Sequence, residues 1–401
     1  MSATGFLRQH AETAAALGLG LLATLAGLFL PPWQALERRG FDALTVLAAP
    51  GESSQPIVLV AINEESFEVL KLRWPWPRST HAELLDRLTL GGAAVVAFDV
   101  LLADASDAKE DQAFAESIRR AGNVVLAADF TYAETQSARL WKRTEPLALF
   151  TDAGAVSGLA TVPLDPDQFV RGIPGEPDAF WRQVVKILQV RVPSLAVPPL
   201  PGAGAMIRYL GATGVHPVVP YHLVLAASPE ELKGAFEGRI VIVGRDLRAA
   251  PELGMAQADL FATPFIAEAG GLQSGIRIHA TIVENALTGA AIRPAGPLAM
   301  LLANLAAALA AAAAFRRARP LVAAAAMAAL AAAAFGLAWA AFRHAGTWLP
   351  FAAPVAVVFL AWLAHLLRAY FAERARREEV KRAFSLYVAP AAVDQRLAHP
   401  Q

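Results

Sequence analysis

The chain has no cysteine among its 401 residues, which excludes disulfides, cysteine-ligated zinc and thiol nucleophiles. Charge is scarce as well: 17% of residues are Asp, Glu, Lys or Arg, and the formal net charge is zero. A chain with no excess of positive charge has no bulk attraction to nucleic acid, so none is expected as a partner. Glycine-rich phosphate loops are missing. Val243-Gly244-Arg245 lacks both the further glycines of a dinucleotide motif and the lysine of a P-loop. No Gly-x-Ser-x-Gly or His-Glu-x-x-His pattern offers a hydrolase, and no catalytic residue, metal ligand or cofactor is assigned. His81 and His279 have no partner at metal-ligand spacing and read as structural hydrogen-bonding groups.

What the chain has in excess is apolar residues, at 56% of the total and a mean hydropathy of +0.41. Both exceed what soluble domains need. Four long apolar runs carry most of the excess. The first, 13–32, reaches Pro31-Pro32-Trp33 without a small-residue cleavage site, so it reads as an uncleaved helix rather than a signal peptide. Residues 296–315, 321–342 and 348–367 are each long enough to cross a bilayer. Arg316-Arg317-Ala318-Arg319 and the arginine-rich stretch 368–382 bias those ends to the cytoplasm, against a weaker opposite signal from Arg38 and Arg39. The consistent topology has four spans, with 1–12 and 368–401 in the cytoplasm and 33–295 outside, in a bacterial inner membrane.

Between the first and second spans lies the one long globular stretch. Apolar runs at 57–62, 94–100, 123–128 and 239–244 read as strands, with helices at 81–90 and 111–121 between the first three. That alternation predicts an α/β domain with a largely parallel sheet and helices on both faces. Further strands are expected at 156–162, 207–211 and 215–219, a helix at 178–190, and a proline-rich connector at 193–201. The organising unit is Trp74-Pro75-Trp76-Pro77-Arg78: its prolines disfavour a helix before Arg78, and Ser79 or Thr80 can cap the helix that follows. Gly91-Gly92 stops that helix, and a buried strand ends near Asp99.

Arg73 to Arg78, His81, the Leu84-Leu85-Asp86-Arg87-Leu88 helix, Gly91 and Phe98-Asp99 resemble the CHASE2 domain, a family of extracytoplasmic sensors in bacterial transmembrane receptors. Further similarity follows in order: Gly122-Asn123-Val124-Val125, Ile207 to Gly211, Gly238 to Gly244, Asp259, Thr263-Pro264, Gly275 to Ala280, Asn285 and Leu287. Two positions depart from the pattern, Ser274 in place of a proline and Gln168 in place of a glycine. The resemblance implies one span before the sensor and three after, and an unidentified extracytoplasmic ligand. Phe384 to Val393 is similar to the join that precedes a class III adenylate or guanylate cyclase domain, which implies a paired receptor and the receptor half of a cyclase. No such catalytic domain lies within the 401 residues. Leu363, Leu366, Tyr370, Val380, Phe384 and Tyr387 form a stripe that suits either a homodimer seam or a helix lying on membrane lipid.

Four expected strands end in polar residues: Asn63-Glu64, Asp99, Asp129 and Arg245-Asp246, with Asp104, Asp107 and Asp111 close behind. In open parallel sheets ligands collect at the carboxyl ends of strands. The candidate ligand residues are therefore Trp74, Trp76, Arg78, Asp99, Asp129, Arg245 and Asp246. The carboxylates suit a cationic ligand or a hard metal, or they cap helices and begin turns. The tryptophans either stack on a ligand or wedge a loop against the core. Arg78 holds a carboxylate, for which Asp99 is a candidate, or a ligand anion.

Overall fold

The computed structural model describes residues 3–134, 139–212, 214–247, 259–267 and 271–387. It divides into two compact units: Asp42–Pro294, and Met1–Phe41 with Ala295–Gln401. The first two helices are α1 (Ala3–Phe29) and α2 (Pro31–Ala48), bent by 85° at Leu30. The bend follows from Pro31-Pro32, which removes backbone donors and disfavours helical geometry at Leu30.

The Asp42–Pro294 unit alternates strand and helix, as its apolar runs require. Its elements begin with β1 (Ile57–Ile62), α3 (Glu64–Leu70), α4 (Arg78–Leu90), β2 (Val95–Leu101) and α5 (Ala108–Ala121). Then come β3 (Val124–Glu134), β4 (Arg139–Thr144), α6 (Ala148–Asp152), β5 (Val156–Leu159) and α7 (Phe180–Arg191). The last third supplies β6 (Val218–Pro220), α8 (Tyr221–Ala226), α9 (Pro229–Phe236), β7 (Ile240–Arg245), β8 (Leu260–Ala262), β9 (Leu272–Ser274) and α10 (Gly275–Thr288). The seven-stranded sheet has the order β4-β3-β2-β7-β1-β6, with β5 also on β3. Every pairing in it is parallel except β3 with β4.

Helices cover both faces. One core joins Val58, Val96, Phe98 and Val241 to α4, α5, α8 and α9; the other joins Leu59, Ala97, Val125 and Ile242 to α7 and α10. All six residues of β1 are buried, which is why that strand reads as an unbroken apolar run. Some local expectations shift. The helix after the tryptophans starts at Arg78, with Pro77 at its N-cap and no side-chain cap from Ser79 or Thr80. Asp107 caps α5 through Lys109 and Glu110. Residues 207–211 form no strand; only Met206 bridges there, to Gly172 and Ile292.

The other unit contains α11 (Pro297–Phe315), α12 (Pro320–Ala345) and α13 (Ala352–Tyr387), three helices long and apolar enough to cross a membrane. The bent α1–α2 pair makes a fourth if counted as one span. Gly20 lets α1 approach α11: a side chain there would meet the Asn304 carbonyl oxygen at 3.1 Å. Asn304 Nδ2 donates to Thr24 Oγ1 at 3.0 Å, the kind of bond that joins helices in an apolar medium. Glu37 accepts the amides of Ala352 and Ala353 at 3.1 and 2.8 Å, holding the first turn of α13. The side chains of Phe384 and Tyr387, and all of residues 388–401, lie outside the described residues.

Candidate ligand-binding cleft

Parallel neighbours β3, β2 and β7 bring Asp129, Asp99 and Arg245 to one edge of the sheet. Asp99 pairs in register with Gly244, where a side chain would strike Ile276 Cγ2 at 2.4 Å and approach the Asp99 carbonyl oxygen at 3.1 Å. Only glycine lets the start of α10 pack so close. The edge opens into a cleft of 1050 Å³. Asp99, Asp129, Arg245 and Asp259 line it together with the 72–78 segment, His81, Asp104 to Ser106, Glu110, Phe130 and Trp141, among others.

The two tryptophans divide the roles proposed for them. Trp76 is 1% exposed, with its ring 4.8 Å from Tyr221 and 5.1 Å from Phe67, so it wedges into the core. Trp74 is half-buried, precedes a cis bond to Pro75, and contributes to the cleft wall. Arg78 lines the cleft too, but its carboxylate is Asp111 rather than Asp99, at 3.7 Å. Its Nη2 donates to the Asp104 carbonyl at 3.3 Å and its amide to Glu110 at 3.0 Å. Asp111 is fixed in turn by the Ser106 amide and hydroxyl at 2.8 and 2.7 Å.

Among the acids, Asp129 accepts from the Phe130 amide at 2.8 Å and from the Thr161 hydroxyl. Asp259 takes Arg245 Nε at 2.6 Å. The Asp99 side chain makes no hydrogen bond among the described residues; His279 Nε2 lies 3.9 Å from its Oδ1. Burial pushes the Asp99 carboxyl well above its usual range, reinforced by Asp259 and Asp129 and opposed by Arg245. Burial also pushes His279 down to about 4, so that imidazole is neutral at physiological pH. His81, 1% exposed, is pushed down to about 3 by burial and by Arg78. Tyr221 Oη lies 3.1 Å from the Thr80 carbonyl and 2.9 Å from His81 Nδ1. His81 Nε2 and Trp76 Nε1 are buried with no hydrogen-bond partner among the described residues.

A model of the CHASE2 domain matches residues 19–341, from within α1 to within α12. The chain belongs to the CHASE2 family. No curated protein and no solved structure matches it. CHASE2 is an extracellular sensor domain and not a catalytic one; no catalytic domain is evident among the described residues.

Within this CHASE2 domain, six of the seven expected ligand residues line the same cleft, and Asp246 does not. Asp246 is held instead by both Arg277 nitrogens at 2.8 and 2.6 Å and by Ser274 Oγ at 2.7 Å. The departure from proline at Ser274 thus supplies a hydrogen bond. Gln168, where a glycine is expected, adopts φ +66° and donates its amide to the Asp165 carbonyl at 2.8 Å. That turn presents Asp165 and Asp167 to Arg171, which is 1% exposed. Arg171 also grips both oxygens of Asp42 at 2.7 Å. Phe130 from β3, Trp141 from β4 and Asp259 ahead of β8 join the cleft without any local pattern in the sequence to mark them as lining. A shallower groove of 550 Å³ between α4 and α5 is crossed by an Arg120–Asp86 pair at 2.7 Å. Among the described residues no three His, Asp or Glu side chains are placed to hold a metal ion.

Proposed function

We propose that the chain is the receptor portion of a bacterial inner-membrane signalling protein, in which a ligand in the extracytoplasmic cleft changes the packing of four membrane helices. The single observation that carries this reading is a 1050 Å³ cleft at the carboxyl edge of a parallel sheet in a sensor-family domain. Signalling then requires a ligand that binds two receptor states with different affinity. The output passes through α13 to residues 368–401, and the receptor acts as a homodimer with membrane lipid around its helices. The arginines of 316–319 and 368–382 support cytoplasmic termini and an external sensor.

Two experiments test it. Reporter fusions at Ala318 and Gln401 should report the cytoplasm and a fusion at Gly154 the outside; a cytoplasmic Gly154 overturns the receptor model. Single cysteines replacing Val380, Phe384 and Tyr387 should crosslink between copies in membranes, and one replacing Arg382 should not. Equal crosslinking at all four positions, or none at any, removes the dimer seam. The similarity of Phe384 to Val393 to a cyclase join favours a second reading for the output, a class III nucleotide cyclase, tested by cyclic-nucleotide production from the native gene product.

A further inference from the structure

Resting on the receptor reading, we infer that the cleft takes a small organic cation, an ammonium or guanidinium with N–H donors on an apolar body. Its charge sits among Asp99, Asp129 and Asp259, and its body lies against Trp74, Phe130 and Trp141. Around Asp99 two further aspartates meet one arginine, Arg245, already paired with Asp259 at 2.6 Å, and the whole lining carries five carboxylates against three arginines. Of the other two arginines, Arg78 is held by Asp111 and by the Asp104 carbonyl, although its Nε has no hydrogen-bond partner among the described residues, and Arg73 is exposed at the lining; the excess of carboxylates decides for a cation. A bare metal ion is too small for 1050 Å³, and no three carboxylates are spaced to ligate one among the described residues.

Two further observations point to a ligand rather than to a solvated acidic edge. His81 Nε2 is buried in the cleft lining with no hydrogen-bond partner among the described residues, and a polar group of a ligand would supply one. The Asp99 side chain lies in the floor with no hydrogen bond among the described residues, where a cation supplies both a bond and a countercharge. The groups facing Asp99 are Asp129 from β3, Arg245 from β7, Asp259 ahead of β8 and His279 from α10. His279 is neutral above about 4, so the proton held in the free cleft is the one that burial keeps on Asp99. Binding a cation drives ionisation of Asp99 and releases that proton. Affinity therefore rises with pH, by up to about tenfold per unit, and levels off once free Asp99 is ionised.

The test uses the full chain in lipid nanodiscs and three probes that share one aromatic body: tryptamine, tryptophol and indole-3-acetate. Tryptamine should bind, with a heat that changes with the ionisation enthalpy of the buffer. Tryptophol should bind at least about tenfold more weakly, and indole-3-acetate more weakly still. Asp129→Asn should weaken tryptamine by about tenfold or more. Asp99→Asn should melt with the parent near pH 4 yet lose the pH dependence of binding. Equal or tighter binding of the alcohol or the acid overturns the proposal, as does no binding of tryptamine at about 1 mM. An unchanged pH slope in Asp99→Asn overturns it as well. Crosslinking through Val380→Cys, read in the same samples, separates the two levels. Tryptamine bound with crosslinking unchanged sinks the receptor reading and leaves the cation site standing. The acid or alcohol bound with crosslinking changed sinks the cation class alone.

Discussion

The sensor unit contains two clusters of the same composition, three aspartates and one arginine, and they are built in opposite ways. Around Arg171 every carboxylate is engaged: Asp42 by two bonds of 2.7 Å, Asp165 by one of 2.7 Å, Asp167 by bonds of 2.9 and 3.1 Å. The Phe169 ring closes over the guanidinium at 4.6 Å. Around Arg245 only Asp259 is engaged by the arginine among the described residues, and the Asp99 side chain has no hydrogen bond among them. Burial raises both Asp42 and Asp99, but Arg171 opposes the shift at Asp42 with direct bonds, whereas Arg245 acts on Asp99 only through space. A buried charge whose bonds are all made belongs to the fold; one left short of partners belongs to a site.

Changing the arginines breaks the comparison most sharply. Arg171→Leu leaves three carboxylates clustered without their cation and should cost about 3–5 kcal/mol in a denaturant titration. A loss under about 1 kcal/mol would mean that the Arg171 cluster is no more structural than the other. Asp99→Asn tests the open cluster through pH. A carboxyl whose folded-state pKa lies above its unfolded value costs stability as pH rises from its ordinary value of about 4. The asparagine variant should therefore match the parent near pH 4 and gain on it towards pH 8; a constant offset would contradict the burial argument. Arg245→Met removes a pair whose side chains are 25% and 37% exposed, and should cost no more than about 1 kcal/mol. Smallest is Gln168→Gly, which relieves a left-handed residue at some cost in chain entropy. A net gain of about 0.5 kcal/mol in the same titration is expected, and a loss would show that the Gln168 side chain contributes to the turn.

The sheet was legible because its strands are buried on both faces and therefore uniformly apolar, as at Ile57 to Ile62. Asp99, Asp129 and Arg245 were legible for the same reason: each interrupts or ends an apolar run, and parallel pairing sends such ends to one edge. Partners were not. Asp246 follows Arg245 directly, yet adjacent residues at a strand end face opposite ways, and Arg277 claims it from α10. The partner of Arg78 is set by the turn at Ser106, which fixes Asp111. Arg171 and Asp42 stand 129 residues apart, a distance over which no local periodicity speaks. Glycine carried more than its pattern suggested, since Gly244 is required by the approach of Ile276 from another element.

The grip of Glu37 on Ala352 and Ala353 has a mechanical consequence for α13. Two amides held by one carboxylate pin the start of the helix along its axis, so a piston stroke must first break both bonds. Tilt about the pinned end breaks neither. The 36 residues of α13 make a rod of about 54 Å, over which a tilt of about 5° carries Tyr387 sideways by about 5 Å. A stroke passed along this helix would therefore be the sweep of a lever, and Glu37→Leu, which removes the pivot, would let the same helix slip along its axis.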